Sequence, residues 1–282
     1  MIIAVASGKG GTGKTTVATN LAAIAASDQV KTAYVDCDVE EPNGALFLKP
    51  KITQTLPVEV PIPRVDKEKC VLCGKCQEIC QYNAILVIEK QVLVYPELCH
   101  SCGGCTLVCP SGAISEVPRE LGERQIGQAE AGLDFLQGKL HIGERVTPPV
   151  IKELKRHLPP DDLIILDSPP GTSCPVVETV HGADYVLLVT VPTPFGLHDL
   201  SLAVKMLRVL QIPFGLVINQ SDSEKKELMD YVQKEQLEIH LEIPHDRRIA
   251  ESYSRGNLIY KDIPGLKNSF LKLLGFLKDM IE

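Results

Sequence analysis

Three features that would point to a membrane, a nucleic acid or a secretory route are missing from this sequence of 282 residues. Its apolar runs, such as residues 185–191, are much shorter than the roughly 20 residues of a membrane-spanning helix. Its 36 acidic residues outweigh 29 basic ones and leave a formal net charge of -7. We therefore expect no insertion into a membrane and no generally basic surface that coats nucleic acid.

A secretory leader is also missing from the first residues. The opening stretch Met1-Ile-Ile-Ala-Val5 leads directly into a predicted buried strand, without a charged region followed by a cleavable apolar segment. The charged fraction of 23% is typical of a folded chain. We expect a soluble, cytoplasmic protein that is long enough for one large α/β domain and a small additional module.

Cysteine, by contrast, is abundant, with ten residues, eight of which lie between Cys70 and Cys109. Small secreted domains use such a density for disulfide bonds, but no export signal accompanies it here. Regularly spaced thiolates in a reducing compartment indicate a metal instead. Cys37 and Cys174 lie outside this dense segment.

The rest of the chain alternates between predicted strands and helices. Residues 2–6 and 31–35 are predicted strands, separated by a glycine-rich loop and a segment with helical periodicity. Because the later strands are almost continuously apolar, both of their faces must be covered, as in a doubly wound, mostly parallel α/β sheet. The later predicted strands are 163–166, 185–191, 214–218 and 237–243, and the predicted helices are 150–158, 197–210, 224–235 and 266–281.

This alternation stops between residues 60 and 118. Within that segment, a group of cysteines, a short helical stretch and an apolar strand occur twice, with strands at 84–89 and 113–117. Prolines bound the segment, and its apolar side chains are too few for it to fold alone without cross-links. We therefore predict a small inserted α+β domain at 60–118, between two parts of one larger domain at 1–59 and 119–282.

Residues 8–16 match the pattern G-x-x-x-x-G-K-[ST] between a strand and a helix, as a phosphate-binding P-loop requires. Glycines let successive backbone N–H groups converge on phosphate oxygens, and the amino end of the helix adds positive potential. Lys14 is expected to bridge the β- and γ-phosphates, and the Thr15 hydroxyl to bind Mg²⁺. The residues expected to bind nucleotide here are Gly8, Gly10, Gly11, Thr12, Gly13, Lys14, Thr15 and Thr16.

Carboxylates follow two of the predicted strands. Asp167 ends an apolar run, where a Walker-B aspartate would hold Mg²⁺ through water, while Asp36 and Asp38 follow the second strand. In a doubly wound sheet these positions share the carboxyl edge with the phosphate loop. We expect Thr15, Asp36 and Asp167 to form the Mg²⁺ site. Taken singly, such residues are more often loop carboxylates or helix caps.

These motifs resemble those of the class of P-loop ATPases that contains MinD, ParA, Mrp and the nitrogenase iron protein. Lys9-Gly-Gly-Thr-Gly-Lys14 is similar to its deviant Walker A loop, 36–38 to its switch I, and 167–172 to an Mrp-type switch II. Residues 243–246 and Gly256 are similar to its adenine-side segment. The resemblance implies a MinD-like fold and a homodimer that encloses ATP. It also implies that Lys9 reaches the partner's nucleotide and that Asp38 positions the attacking water.

The base is less strongly specified than the phosphates. Asn219-Gln-Ser-Asp222 is similar to the guanine-reading N-K-x-D of GTPases, but Gln220 replaces the lysine. The resemblance to the MinD class assigns Asn219 to adenine, so ATP is favoured over GTP. Asp222 is better explained as the N-cap of the following helix.

Two cysteine runs resemble those of bacterial ferredoxins. Both have the spacing C-x₂-C-x₂-C-x₃-C, and proline follows the second run but not the first, where Gln81 stands. In that pattern three cysteines bind one [4Fe–4S] cluster and the fourth binds the other. Zinc is the alternative, although zinc sites usually pair C-x-x-C units across a longer gap. The expected ligand sets are Cys70, Cys73, Cys76 and Cys109 for one cluster, and Cys99, Cys102, Cys105 and Cys80 for the other.

Four other features each allow two interpretations. Cys174 is either a loop thiol or, by its offset from Asp167, similar to a residue that holds a bridging cluster in the nitrogenase iron protein. Cys37 is expected to be a buried strand residue. His100 either hydrogen-bonds a cluster sulfur or faces solvent. The helix at 266–281 is expected to pack on the sheet rather than bind a membrane.

The leading functional hypothesis is an ATPase that couples nucleotide state to electron transfer through two [4Fe–4S] clusters. Its catalytic residues are expected to include Lys9, Lys14 and Asp38. The inserted module follows switch I by some twenty residues, so movement of 36–42 should reach it. The expected partners are a second copy of the chain and a redox or cluster-acceptor protein. An iron–sulfur or metal cluster carrier and a positioning ATPase with structural clusters remain the alternatives.

Overall fold

A computed structural model describes residues 1–221 and 225–280 and contains a nine-stranded sheet in this part of the chain. The strand order is β11-β10-β9-β1-β8-β2-β7-β6-β3, and a separate hairpin is formed by β4 and β5. All strands from β11 to β7 in this order run parallel. The strands are β1 (Ile2–Ala6), β2 (Thr32–Asp36), β3 (Lys51–Val65), β4 (Ile85–Ile88), β5 (Gln91–Val94), β6 (Ile114–Gln128), β7 (Asp134–Leu140), β8 (Leu163–Asp167), β9 (Tyr185–Thr190), β10 (Phe214–Ser221) and β11 (Ile239–Pro244).

Helices cover both faces of the parallel strands, which confirms the mostly parallel, doubly wound α/β architecture. The residues of β1 alternate between two cores because successive side chains of a strand point to opposite faces. One core is completed by α1 and α11, and the other by α5 to α8. The helices are α1 (Lys14–Ser27), α2 (Gly44–Leu48), α3 (Lys75–Ile79), α4 (Gly104–Leu107), α5 (Pro148–Arg156), α6 (Cys174–Val180), α7 (Pro194–Leu210), α8 (Lys226–Glu235), α9 (Arg247–Ser254), α10 (Ile259–Asp262) and α11 (Leu266–Asp279).

A long antiparallel ribbon of β3 and β6 extends from one edge of the sheet. Each strand has 15 residues, and their pairing runs from Lys51 opposite Gln128 to Val65 opposite Ile114. Only the last part of β6, residues 122–128, also pairs with β7. The sequence boundaries at 60 and 118 therefore fall inside two continuous strands rather than at breaks in secondary structure. Prolines are tolerated in β3 because it is an edge strand.

The cysteine module, which we define as residues 66–113, connects β3 to β6 at one end of the ribbon. It contains α3, the β4–β5 hairpin, a short 3₁₀ turn at Pro96–Leu98, and α4. Its two halves repeat with an offset of 29 residues, since Cys70 corresponds to Cys99 and Cys80 to Cys109. The left-handed backbone of Leu72 and Gly74 recurs at that offset in Ser101 and Gly103, so the repeat extends to the loop conformation.

The last helix, α11, packs against α1 and buries Phe270, Leu273 and Leu277 in the core. This agrees with the packed helix that the sequence predicts for residues 266–281. Among the described ranges 1–221 and 225–280, the structure contains no helix of sufficient length and hydrophobicity to cross a membrane.

Candidate active site and cysteine cavities

The P-loop connects β1 to α1, and the end of β10 closely approaches it at Gly13. Gly13 has a φ of 94°, a conformation that favours glycine, and a Cβ built on it would lie 2.3 Å from Nδ2 of Asn219. That amide nitrogen donates a hydrogen bond of 2.8 Å to the carbonyl of Thr12. Asn219, at the end of β10, therefore fixes the loop backbone from the neighbouring part of the sheet.

Both polar atoms of the Asn219 side chain are engaged within the chain. Nδ2 binds Thr12, and Oδ1 accepts a hydrogen bond of 2.9 Å from the backbone N–H of Gln220. The structure thus assigns Asn219 a contact with the P-loop, while its contact with a base stays a prediction. The predicted cap residue Asp222 lies outside the described residues.

Lys14 follows the P-loop as the first residue of α1 and is 7% exposed. Burial lowers the pKa of its ammonium group, whereas the nearby Asp167, Asp38 and Asp36 raise it. The three carboxylates, which follow two different strands, are therefore gathered around the P-loop lysine. This cluster of one ammonium group and three carboxylates, with shifted pKa values, marks the candidate active site.

Asp167 ends β8 and is completely buried. Its Oδ2 accepts a hydrogen bond of 2.8 Å from the Tyr34 hydroxyl, but its Oδ1 has no hydrogen-bond partner among the described residues. Burial raises the pKa of Asp167 to about 6, while the nearby Thr15 hydroxyl, the charge of Lys14 and the Tyr34 bond lower it. An orphaned buried carboxylate oxygen beside a threonine hydroxyl is a suitable donor set for a hard cation.

Asp36 and Asp167 lie side by side because β2 and β8 pair in register at these residues. The Asp36 carboxylate accepts backbone hydrogen bonds from Asp38, Asn43 and Gly44, at 3.2, 3.1 and 2.9 Å. Burial and the nearby Asp167 raise its pKa well above the usual range. The observed role of Asp36 is to organise the loop 37–44, and its role as a cation ligand stays a prediction.

Asp38 lies on that loop and is more accessible than Asp36. Burial and the charge of Asp167 raise its pKa to about 6, whereas Lys14 and a backbone hydrogen bond with Glu41 lower it. A carboxylate with such a pKa can accept a proton near neutral pH. Lys9 is in the same region, where its carbonyl accepts a 2.6 Å hydrogen bond from the Ser7 hydroxyl.

The eight clustered cysteines surround two cavities in the cysteine module. Each is lined by three cysteines of one run and the fourth cysteine of the other, which is the grouping that the spacing predicts. The first cavity is lined by Cys70, Cys73, Cys76 and Cys109, and the second by Cys80, Cys99, Cys102 and Cys105.

Backbone N–H groups point at several of these sulfur atoms. The N–H of Ala84 lies 3.3 Å from Sγ of Cys80, and that of Ala113 lies 3.3 Å from Sγ of Cys109. These two bonds correspond in the 29-residue repeat, and a third joins Ser101 to Cys99 at 3.4 Å. Such donors favour thiolates, which are the form that binds metal.

No three or more histidine, cysteine, aspartate or glutamate side chains converge on a single-ion site within residues 1–221 and 225–280. The two cysteines outside the runs have different environments. Cys37 is buried immediately after β2, as expected, whereas Cys174 is exposed and is the first residue of α6 rather than a loop residue. His100 stacks on Tyr82 with ring centroids 3.6 Å apart at the second cavity.

A chain of contacts leads from the loop after β2 to the cysteine module. The N–H of Leu140 donates to the carbonyl of Val39 at 2.8 Å, and the N–H of His141 donates to the carbonyl of Leu121 in β6 at 2.9 Å. Arg119, on the same strand, donates to Glu144 and to the carbonyl of Pro96, at 2.5 and 3.1 Å. Pro96 begins the short turn that leads into Cys99.

Two residues of this arrangement, Tyr34 and Arg119, are not predicted by any sequence motif. Tyr34 could have been found from strand periodicity, because a residue two positions before Asp36 must lie on the same face of β2. Arg119 gave no comparable signal, since its partners Glu144 and Pro96 are 25 and 23 positions away.

The comparisons with known proteins agree with this geometry. The chain is 31% identical over 274 residues to the uncharacterized protein MJ0579 of Methanocaldococcus jannaschii, covering 93% of both. It is 26% identical over 293 residues to an iron-sulfur cluster carrier protein of Pyrococcus horikoshii, covering 96% of this chain and 83% of that protein. Both alignments span nearly the whole of this chain.

Solved structures of low identity share the fold. The MinD cell division protein of Aquifex aeolicus has a TM-score of 0.59 at 17% identity, covering 99% of this chain and 96% of that one. MinD of Pyrococcus horikoshii in complex with Mg-ADP also has a TM-score of 0.59, at 21% identity and 96% and 93% coverage. Residues 3–259 match the family model described as the CobQ/CobB/MinD/ParA nucleotide binding domain, and the chain therefore belongs to this family of P-loop nucleotide-binding proteins.

Proposed function

We propose that the chain is an ATP-hydrolysing iron–sulfur protein, in which nucleotide state controls electron transfer through two [4Fe–4S] clusters. The observation that carries this proposal is the pair of cysteine cavities. Each is lined by four cysteines, with the three-plus-one grouping of a two-cluster ferredoxin. The thiol donor set and the N–H groups aimed at it fit such clusters, which would supply one-electron chemistry.

The nucleotide part of the proposal is supported by the groups around the P-loop. Lys14 would hold the β- and γ-phosphates, and the Thr15 hydroxyl with Oδ1 of Asp167 would hold Mg²⁺, directly or through water. Bound Mg²⁺ would neutralise charge on the phosphates. Asp38 would orient the attacking water and accept its proton, for which a pKa of about 6 is suitable.

The ribbon and its contacts support coupling between the two sites. Val39 directly follows Asp38, and its carbonyl is bonded to β7, which contacts β6 through His141 and Leu121. A displacement of the loop 37–44 would therefore be transmitted to the ribbon that carries the module. Arg119 would add a second connection through its bonds to Glu144 and Pro96.

A homodimer is part of the proposal, because Lys9 of a deviant Walker A loop would act on the nucleotide of a second copy. The other partner would be a redox or cluster-acceptor protein that docks at the cysteine module. Exposed Cys73 and Cys102, one at each cavity, leave a short path between each cluster and a docked acceptor. ATP binding and hydrolysis would time the transfer of an electron to that acceptor.

The decisive experiment combines iron counting with redox titration of the anaerobically purified protein. We expect eight iron atoms per chain, since two [4Fe–4S] clusters hold four each. We also expect the cluster midpoints to differ between the Mg-ADP and Mg-ATP states, because these states would position the module differently. A matched measurement on Lys14→Ala should show the same iron content and no nucleotide dependence.

The proposal would be wrong in its coupling if the midpoints and acceptor reduction were the same in every nucleotide state. It would be wrong in its cofactor if the eight cysteines bound two zinc ions. These two failures are separable because metal analysis reports the cofactor and redox titration reports the coupling.

A cluster carrier is the second candidate, favoured by the exposed Cys174 at the start of α6 and by the similarity to a carrier protein. In that function a labile cluster would bridge Cys174 of two copies, and the module would supply electrons or support. Iron in excess of eight per chain that is chelator-sensitive and lost in Cys174→Ser would favour the carrier. A MinD-like positioning ATPase fits the fold equally well, and nucleotide-dependent flotation with vesicles would favour it.

A further inference from the structure

Tyr34 lies between the two carboxylates that end neighbouring strands. Its side chain is completely buried, and its ring stacks on Phe135 with centroids 5.7 Å apart. The hydroxyl oxygen is 2.8 Å from Oδ2 of Asp167 and 3.4 Å from Oδ2 of Asp36. A phenol carries a single hydrogen to donate, so at any moment Tyr34 donates to one of these two residues.

The two possible acceptors differ in what else their carboxylate oxygens contact. Asp167 keeps Oδ1 without a hydrogen-bond partner among the described residues, which leaves this oxygen available to the proposed cation. Asp36 instead accepts the backbone N–H groups of Asp38, Asn43 and Gly44, and so holds the loop 37–44 in place. The Tyr34 hydroxyl is therefore shared between a cation site and the anchor of a loop.

The loop is also packed directly on this hydroxyl. A Cβ built on Gly44 would lie 2.2 Å from the Tyr34 hydroxyl oxygen, so only glycine leaves room for it. The position where the loop 37–44 turns into α2 thus touches the phenol both through space and through Asp36. A change in the direction of the O–H bond has a short route to the loop that carries Asp38.

We propose that Tyr34 is a positioning residue that passes occupancy of the cation site to the loop 37–44. Its hydrogen is donated to Asp167 when no cation is bound, and to Asp36 when Mg²⁺ with nucleotide engages the Asp167 carboxylate. A carboxylate that shares its charge with a cation is a weaker hydrogen-bond acceptor, so the hydroxyl turns to Asp36 and fixes the loop through it. This inference rests on the proposed nucleotide function and adds a residue to it.

Tyr34→Phe tests the proposal, because it removes the hydroxyl and keeps the ring that packs on Phe135. Hydrogen exchange of residues 36–44 should slow by about tenfold on addition of Mg-ADP to the unaltered protein, and by less than about twofold in the variant. Turnover of ATP should fall by about 10- to 100-fold. The affinity for ADP without Mg²⁺ should stay within about twofold, because the phosphate contacts are intact.

Tyr185→Phe is the matched control. Tyr185 is also a buried tyrosine whose hydroxyl bonds a side chain, 2.7 Å from Nε2 of His240, but it is at the amino end of β9, away from the P-loop. This variant should keep both the exchange response and the turnover of the unaltered protein. Loss of the exchange response in Tyr185→Phe would overturn the proposal by showing that any lost tyrosine bond has the same effect.

Asp36→Asn provides a second route if Tyr34→Phe does not fold. It should also lose the Mg-dependent response, and adding Tyr34→Phe should cause no further loss, because both changes break one connection. An equal Mg-ADP response in Tyr34→Phe and the unaltered protein would overturn the proposal. A missing response in the unaltered protein with Mg-ADP bound would also overturn it, whereas failure of the unaltered protein to bind Mg-ADP would contradict the proposed nucleotide function.

Discussion

The nucleotide part, formed by the parallel strands and the helices on them, differs from the cysteine module in what holds it together. The parallel strands are covered on both faces by continuous apolar cores. In residues 66–113, by contrast, the buried apolar residues are Ala84, Ile85 and Ala113. One region is thus stabilised by its own side chains, whereas the other would depend on the proposed clusters.

The largest expected effect is removal of the metal. Stripping the clusters with a chelator should abolish the slow hydrogen exchange of residues 66–113. Burial of three apolar side chains cannot offset the conformational entropy that is lost when this segment becomes ordered. Binding of ADP should change by less than about twofold, since the other region keeps its core. Exchange measured by mass spectrometry would report both regions in one experiment.

Cys174→Ser is the control, since that thiol is outside both cavities, and it should leave both exchange patterns unchanged. Amides of 66–113 that stay protected in the metal-free protein would show that the module folds without its clusters. The contrast between the two regions would then be lost.

Lys14→Ala instead disrupts the nucleotide part and asks whether the cysteine module is unaffected. ATP turnover should fall by at least about 100-fold, because the lysine is expected to stabilise charge on the transferred phosphoryl group. The visible absorbance of the clusters should be unchanged. The exposed Lys205→Ala on α7 is a control that should alter neither signal, and simultaneous loss of turnover and absorbance in Lys14→Ala would contradict separable regions.

The pH dependence of turnover should sharpen the comparison further. Asp38 has a pKa raised to about 6 by burial and by Asp167, so it is ionised above that pH and protonated below it. Turnover should therefore fall by about tenfold between pH 7 and pH 5, as the base loses its ability to accept a proton. Asp38→Asn should turn over slowly with a flatter profile, whereas an unchanged profile would remove Asp38 from the proton transfer.

The smallest expected effect is that of Arg119, which joins the two regions. Arg119→Met should lower the free energy of unfolding by about 1 to 3 kcal/mol, because its bonds to Glu144 and Pro96 are partly shielded from solvent. The difference in cluster midpoints between Mg-ADP and Mg-ATP should shrink. Arg248→Met, which breaks an exposed pair with Asp246, should do neither, and equal behaviour of the two variants would rule out Arg119 as a connection.

Local patterns predicted the nucleotide part well. Apolar runs such as residues 163–166 and 185–191 became β8 and β9, because strands buried on both faces need little besides hydrophobicity. The cysteine spacing also predicted which thiols share a cavity, since short loops restrict where four closely spaced residues can point. In these cases the relevant forces act within a few residues of each other.

The ribbon and β7 could not be predicted in the same way. β3 contains three prolines, which argue against a strand even though Leu56, Val58, Val60 and Ile62 alternate along it. β7 contains Gly138, which only the tertiary structure explains, because a Cβ there would lie 2.7 Å from Val39 and 3.0 Å from Leu154. The contact of Asn219 with Thr12 is likewise a product of packing between segments 207 positions apart.

The end of the ribbon has a consequence for how such a chain can be assembled. Val65 and Ile114 are paired neighbours, so the chain leaves and re-enters the ribbon at adjacent points. A tight two-residue turn could close this hairpin in place of the module, and another small unit with adjoining ends could be grafted there without altering the strand order. The ribbon tip is therefore an insertion point, at which the same nucleotide-binding fold could carry a different small module.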